Sequence, residues 1–178
     1  IHGCGGLGLS ALLIAKALGG KVVAIDVVPE TLRLAKNLGA DETINANEVE
    51  KVGRHIVQMT NGGAHASIDA LGHTVTLLNS LRSLRKQGRH IQAGLLLDDH
   101  ARPAIPMGPV VAKELEIIGT HGMSALEYPQ MFDLITSGAI NLQTLVGRTI
   151  PLSDAPQALA SLPEANFPGV TVIDDFTS

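Results

Sequence analysis

The sequence predicts a doubly wound α/β fold, a six-stranded parallel sheet with helical crossovers and a C-terminal return segment. Three observations predict it. Glycines stand at G-x-G-x-x-G spacing at the start of the chain, at Gly3, Gly5 and Gly8. A β-branched run, Lys21-Val22-Val23-Ala24-Ile25, closes on Asp26, 23 residues after Gly3. From there to residue 119, short apolar runs alternate with helical spacing, the signature of β–α–β units.

The elements follow in order. Only Ile1 and His2 precede the glycines, whereas a strand averages about 5–6 residues. The first strand is therefore expected to be cut, and the chain to be a piece of a longer polypeptide. Residues 9–18 read as the first helix and Gly19-Gly20 breaks it. Residues 21–25 are the second strand. Pro29-Glu30 opens a helix with Leu32, Leu34, Ala35 and Leu38 at apolar spacing, ended by Gly39. Thr43-Ile44-Asn45 is the third strand, and 49–59 a helix stopped by Asn61-Gly62-Gly63. Residues 66–71 form the fourth strand, 74–84 an amphipathic helix, 88–94 the fifth strand and 115–119 the sixth. The expected strand order is 3-2-1-4-5-6. Pro103, Pro106 and Pro109 make 98–109 a loop or extended arm. Residues after about 138 do not extend the sheet. The division is a dinucleotide-binding domain over 1–140 and a return segment over 141–178.

Composition narrows the function. At 178 residues the chain suits one domain, and 45% hydrophobic residues with only 2% aromatics imply an aliphatic core. A net charge of −4 without a basic run argues against nucleic acid. The single Cys4 excludes an internal disulfide. No apolar stretch is long enough to span a membrane, and no signal peptide is visible, so a cytoplasmic setting is expected.

The glycine residues have specific physical uses. Gly3 permits a tight strand-to-helix turn, Gly5 lets backbone approach a pyrophosphate, and Gly8 allows close helix–strand packing. The following helix offers free N–H groups and a partial positive charge to phosphate. Asp26 stands where a carboxylate can accept two hydrogen bonds from an adenosine ribose. The weaker alternative is a tight βα turn in some other α/β protein.

The run Gly3-Cys4-Gly5-Gly6-Leu7-Gly8 through Asp26 resembles the cofactor domain of the medium-chain dehydrogenase/reductase family, on its zinc-dependent alcohol dehydrogenase side. Asp69-Ala70-Leu71-Gly72, Gly119-Thr120-His121-Gly122 and Pro151-Leu152-Ser153-Asp154-Ala155-Pro156-Gln157-Ala158-Leu159 carry the same resemblance. It implies a parent enzyme that moves hydride between an alcohol and NAD, with zinc and the proton relay in an N-terminal catalytic domain absent here. Position by position, it implies that Cys4, Gly5, Gly6, Leu7 and Gly8 cradle the pyrophosphate after the Gly3 turn, and Asp26 holds the ribose. Ala70 and Leu71 would line the adenosine side; Ala93, Gly94, Leu95, Gly119 and Thr120 would approach the nicotinamide. Two positions depart from the family: Thr31 stands where some members carry Lys, and Phe167-Pro168-Gly169-Val170 offers no Arg for the pyrophosphate.

Other tempting residues have plainer readings. His2, His65, His73, His90 and His121 show no metal-ligand spacing, though His121 stands at the favoured sheet edge. Cys4 lies beside a helix N-terminus, which can lower a thiol pKa, but a small residue fitting the turn is the simpler account. Asp41-Glu42 and Asp174-Asp175 read as solvated charges. No residue is assigned a catalytic or metal-binding role. Competing readings are a zinc-free quinone or enoyl reductase, a non-catalytic dinucleotide sensor and, more weakly, a methyltransferase. Asp26 argues against the first, since such enzymes often use NADPH, and the 151–159 segment against the second. Self-association through the edge of the sixth strand is expected.

Overall fold

The first three helices share one way of stopping, and it sets the rhythm of the fold. Helix α1 (Gly6–Ala17) is followed by Gly19 at φ +80°, α2 (Pro29–Asn37) by Gly39 at φ +100°, and α3 (Val52–Met59) by Asn61 at φ +52°. In each case the next two amides turn back onto the last turn. Gly20 N–H donates to the Ala15 carbonyl, Ala40 to Ala35 and Gly62 to Val57, which satisfies carbonyls that otherwise lack partners. The chain is thereby reversed into β1 (Val23–Asp26), β2 (Glu42–Asn45) and β3 (Ala64–Asp69). The computed structural model describes residues 1–162 and 167–177. Residues 163–166 and 178, within the expected return segment, lie outside the described residues.

The sheet continues through β4 (Leu84–Gln92) and β5 (Glu116–Gly119), with α4 (Thr74–Arg82) and α5 (Met107–Lys113) between strands. β1 pairs with β2, and β3–β4–β5 pair in that order, all parallel. His2 joins the two groups through parallel bridges to Ile25 and Asp69. The spatial order is the expected one, and the first strand, expected to be cut, is a single bridging residue, His2. Gly3 ends it by leaving extended backbone at φ +87°, and only Ile1 stands before His2 in this sequence. His2 nevertheless uses both backbone groups, donating to the Ile68 carbonyl at 2.8 Å and accepting from Ala70 N–H at 2.9 Å.

Alternation along β1 separates two cores. Val22 and Ala24 face Leu9, Leu12, Leu32 and Ala35 of α1 and α2, while Ile25 joins Ile44, Val52 and Ile56 on the α3 side. Helices thus cover both faces, as a parallel sheet requires.

The structure corrects three expectations. β4 begins at Leu84, not 88, because Leu84 pairs with Ala64 before a register shift. Part of the expected 98–109 loop is helical: a 3-10 turn spans Asp98–His100, and α5 starts at Met107. Pro109 is tolerated in that first turn, where amides need no intrahelical acceptor. Asp41 is more than a solvated charge, since it accepts hydrogen bonds from Lys16 Nζ at 2.8 Å and from Val22 N–H at 2.6 Å.

Beyond α6 (Tyr128–Thr136), β6 (Val146–Pro151) and β7 (Val170–Asp175) form their own parallel pair, with α7 (Ala155–Ala160) between them. Arg148 fastens this pair: its guanidinium lies 4.1 Å from the Phe167 ring centroid, and its Nε donates to Thr171 Oγ1 at 3.0 Å. Leu145 and Val170 reach the α1 core.

Candidate functional site

The glycine turn and the end of β1 form one unit. Cys4 N–H donates to Asp26 Oδ2 at 2.6 Å, while Val27 and Val28 N–H donate to Oδ1 at 2.7 and 3.0 Å. A carboxylate offers about four acceptor positions. Asp26 therefore has room for about one further donor, where the sequence suggested two. The Cys4 amide is committed to this bond and its side chain is buried. What the turn leaves open lies further on: a Cβ on Gly5 would meet nothing within 4 Å, and no side chain caps α1. Gly8 is needed for a closer reason than helix–strand packing, since a Cβ there would overlap the Gly3 carbonyl oxygen.

A second unit lies across the carboxyl ends of β3 and β4. Asp69 is fully buried. Its Oδ1 accepts from Leu71 N–H, Gly72 N–H and Thr76 Oγ1, each at 3.0 Å, and its Oδ2 from Gln92 Nε2 at 3.0 Å. The loops after β3 and β4 cross in backbone contact. A Cβ on Gly94 would fall 2.5 Å from the Leu71 carbonyl carbon, and one on Gly72 would overlap the Leu95 carbonyl. Next to this crossing, Gln92, Ala93, Gly94, Leu95, Leu96, Gly119, Thr120 and His121 line an open cavity of about 360 Å³.

The structure thus brings Ala93, Gly94, Leu95, Gly119 and Thr120 to one cavity, with His121 at its rim. Ala70 and Leu71 lie between that cavity and the glycine turn, where a Cβ on Gly3 would stand 3.2 Å from Leu71 Cβ. Gly5, Gly6, Leu7, Gly8 and Asp26 occupy the other end. Leu7, Leu71 and Leu95 are exposed, so the apolar lining is accessible. Gly6 is walled by the return pair: a Cβ there would meet Val170 Cγ1 at 2.9 Å.

Burial decides the titrating groups. The Cys4 thiol is pushed up to about 12, chiefly by burial, with the neighbouring Asp26 charge adding to it. The helix-end activation considered for Cys4 is therefore absent, and the residue acts as a small packing group. His2 is pushed down to about 3 and His90 below the usual histidine range, both chiefly by burial. His90 is neutral, and its contacts assign the tautomer. Nδ1 accepts from Ser80 Oγ at 2.9 Å, and Nε2 donates to Gln92 Oε1 at 3.2 Å. Sequence reasoning missed Asp69, Gln92 and this buried chain. The available signal was Ser67 and Asp69, two polar residues on one face of a strand whose remaining residues are Ala64, His65, Ala66 and Ile68.

Glycine turn, β1 carboxylate and carboxyl-edge cavity define a doubly wound fold of the dinucleotide-binding type. The matching family model is that of the zinc-binding dehydrogenases, over residues 6–137, and the chain belongs to that family. It is 33% identical over 165 residues to an erythritol/L-threitol dehydrogenase of Mycolicibacterium smegmatis, covering 89% of this chain and 43% of the relative. The alcohol dehydrogenase TADH from Thermus sp. ATN1 superposes with a TM-score of 0.84 at 29% identity, covering 97% of this chain and 49% of that one. A crystal structure of an NAD-dependent alcohol dehydrogenase gives 0.86 at 25% identity, covering 98% and 50%. The chain spans about half the length of the relatives it matches.

Proposed function

We propose that this chain is the NAD-binding half of a dehydrogenase that moves hydride between an alcohol and the nicotinamide ring. The observation that supports it best is the Asp26–Cys4 bond, which sets a β1 carboxylate against the glycine turn at the carboxyl edge of the sheet. Gly5 to Gly8 and the α1 N-terminus would hold the pyrophosphate; Asp26 would accept one ribose hydroxyl. Leu71 would cover the adenosine side, and Ala93 to Leu95 with Gly119 and Thr120 would enclose the nicotinamide, which supplies the hydride acceptor when bound. The chain's own groups orient the dinucleotide and exclude water along the 93–95 loop. The family's zinc does not fit these residues: among the described residues no three His, Cys, Asp or Glu side chains gather around a metal-sized point. In this reading zinc and proton transfer belong to the part of the parent outside the chain, and the chain alone gives no turnover with NAD, alcohol and excess zinc.

Calorimetric titration with NAD and NADP tests the assignment. A 2′-phosphate would face Asp26, and two like charges about 4 Å apart repel by a few kcal/mol at an effective dielectric near 20. NAD is expected to bind at least about tenfold tighter; equal affinities overturn the reading.

The same proposal includes a homodimer. All four residues of β5 are exposed, Ile117 and Ile118 among them, and the strand pairs on one side with β4. An open edge of this kind accepts a second copy. Sedimentation should show a dimer that Ile117→Lys splits. A monomeric parent chain, or a dimer indifferent to the substitution, excludes this interface.

A further inference from the structure

We infer that Asp69 is a positioning residue for the nicotinamide end of the crevice, acting through Gln92 on the 93–95 loop; this rests on the NAD reading above. None of the hydrogen-bond partners of the Asp69 side chain is a residue that would contact phosphate. Its two oxygens have separate duties instead. Oδ1 gathers the amides of Leu71 and Gly72 and the hydroxyl of Thr76, and so holds the turn from β3 into α4. Oδ2 takes one hydrogen of the Gln92 amide, whose other hydrogen goes to the Gly94 carbonyl at 2.8 Å. The Gln92 carbonyl is committed to His90 Nε2, so the amide cannot turn over without losing all three partners.

The Asp69 backbone carbonyl accepts from Ala93 and Gly94 N–H at 3.0 and 2.8 Å. One residue therefore holds the 93–95 loop at its amides directly and at a carbonyl through Gln92. Because the Gly72 and Gly94 backbones are in contact, fixing one loop fixes the height of the other. Loop position is what a nicotinamide wall must supply, since small misplacements of a bound ring cost large factors in rate. A buried carboxylate so fully partnered is poorly explained by stability alone, because burying a charge is costly even when it is paired.

Asp69→Asn separates the two duties. The asparagine carbonyl can replace Oδ1 toward its three donors, which leaves an NH₂ facing the NH₂ of Gln92. Gln92→Met cuts the same link from the other side with little change in volume. Both variants are expected to weaken NAD about tenfold, ~1.4 kcal/mol. Binding of ADP-ribose, which lacks the nicotinamide, should stay within about threefold, since its contacts lie at the other end of the crevice. Amide hydrogen exchange without ligand should accelerate at Ala93 and Gly94 but not at Leu71 or Gly72. Equal losses for NAD and ADP-ribose, or unchanged exchange at Gly94, overturn the assignment. If the parent chain takes up neither ligand, the NAD reading fails, and exchange at Gly94 still decides whether Asp69 governs the loop.

Discussion

Up to Leu84 each helix buries an apolar face against the sheet; from Met107 onward the helices form but bury little. α1, α2, α3 and α4 each contribute fully buried side chains, whereas α5 contributes Val110, and α6 and α7 contribute none. Among the described residues, the buried apolar side chains after Leu84 are Val110, Ile140 and Leu145. Tyr128, Phe132, Leu126 and Leu159 are exposed instead. Secondary structure therefore does not distinguish the regions. Close packing does, and stability follows packing.

Acid should strike the first region hardest. His2 binds its proton more readily in the unfolded chain, because its folded pKa is lowered to about 3. Stability from burying it neutral is complete above about pH 6.5 and drains as pH falls toward 3, by as much as about 4 kcal/mol. His90, also lowered, adds in the same direction. Urea unfolding at pH 7, 5.5 and 4.5 measures this, and His2→Leu should flatten the dependence. An unchanged pH profile in His2→Leu would remove His2 from the account.

Leu12→Ala comes next. With 1% of its surface exposed in the α1 core, Leu12 should lose about 3 kcal/mol on truncation. Leu126→Ala, at a site 89% exposed, should change stability by less than about 0.5 kcal/mol. Denaturant midpoints for the pair sharpen the contrast; comparable losses would show that the second region is packed after all.

Local signals carried the first region well. Gly19, Gly39 and Asn61-Gly62-Gly63 mark helix stops, and Val22 to Ile25 marks a strand, because each follows from backbone conformation or apolar period within a few residues. The residues proposed to hold the cofactor could be named from the sequence, while their hydrogen bonds could not. That Asp26 spends an oxygen on Cys4, and that Asp69 joins two loops, depends on residues 22 and 23 places apart meeting across strands. α5 was obscured by its prolines, which discourage a helix except in its first turn. The β6–β7 pairing was beyond local reading, since its register joins residues more than 20 apart.

The contact between Val170 and Gly6 also sets an order of assembly. Synthesis delivers residue 170 a full 164 residues after Gly6, by which time the strands and helices of the first region can already have met. During that interval the start of α1 stands open on the side that Val170 later covers. The glycine turn is thus among the last stretches of this fold to acquire its complete wall. A nascent chain halted before β7 would expose to the cell a glycine turn unguarded along one flank.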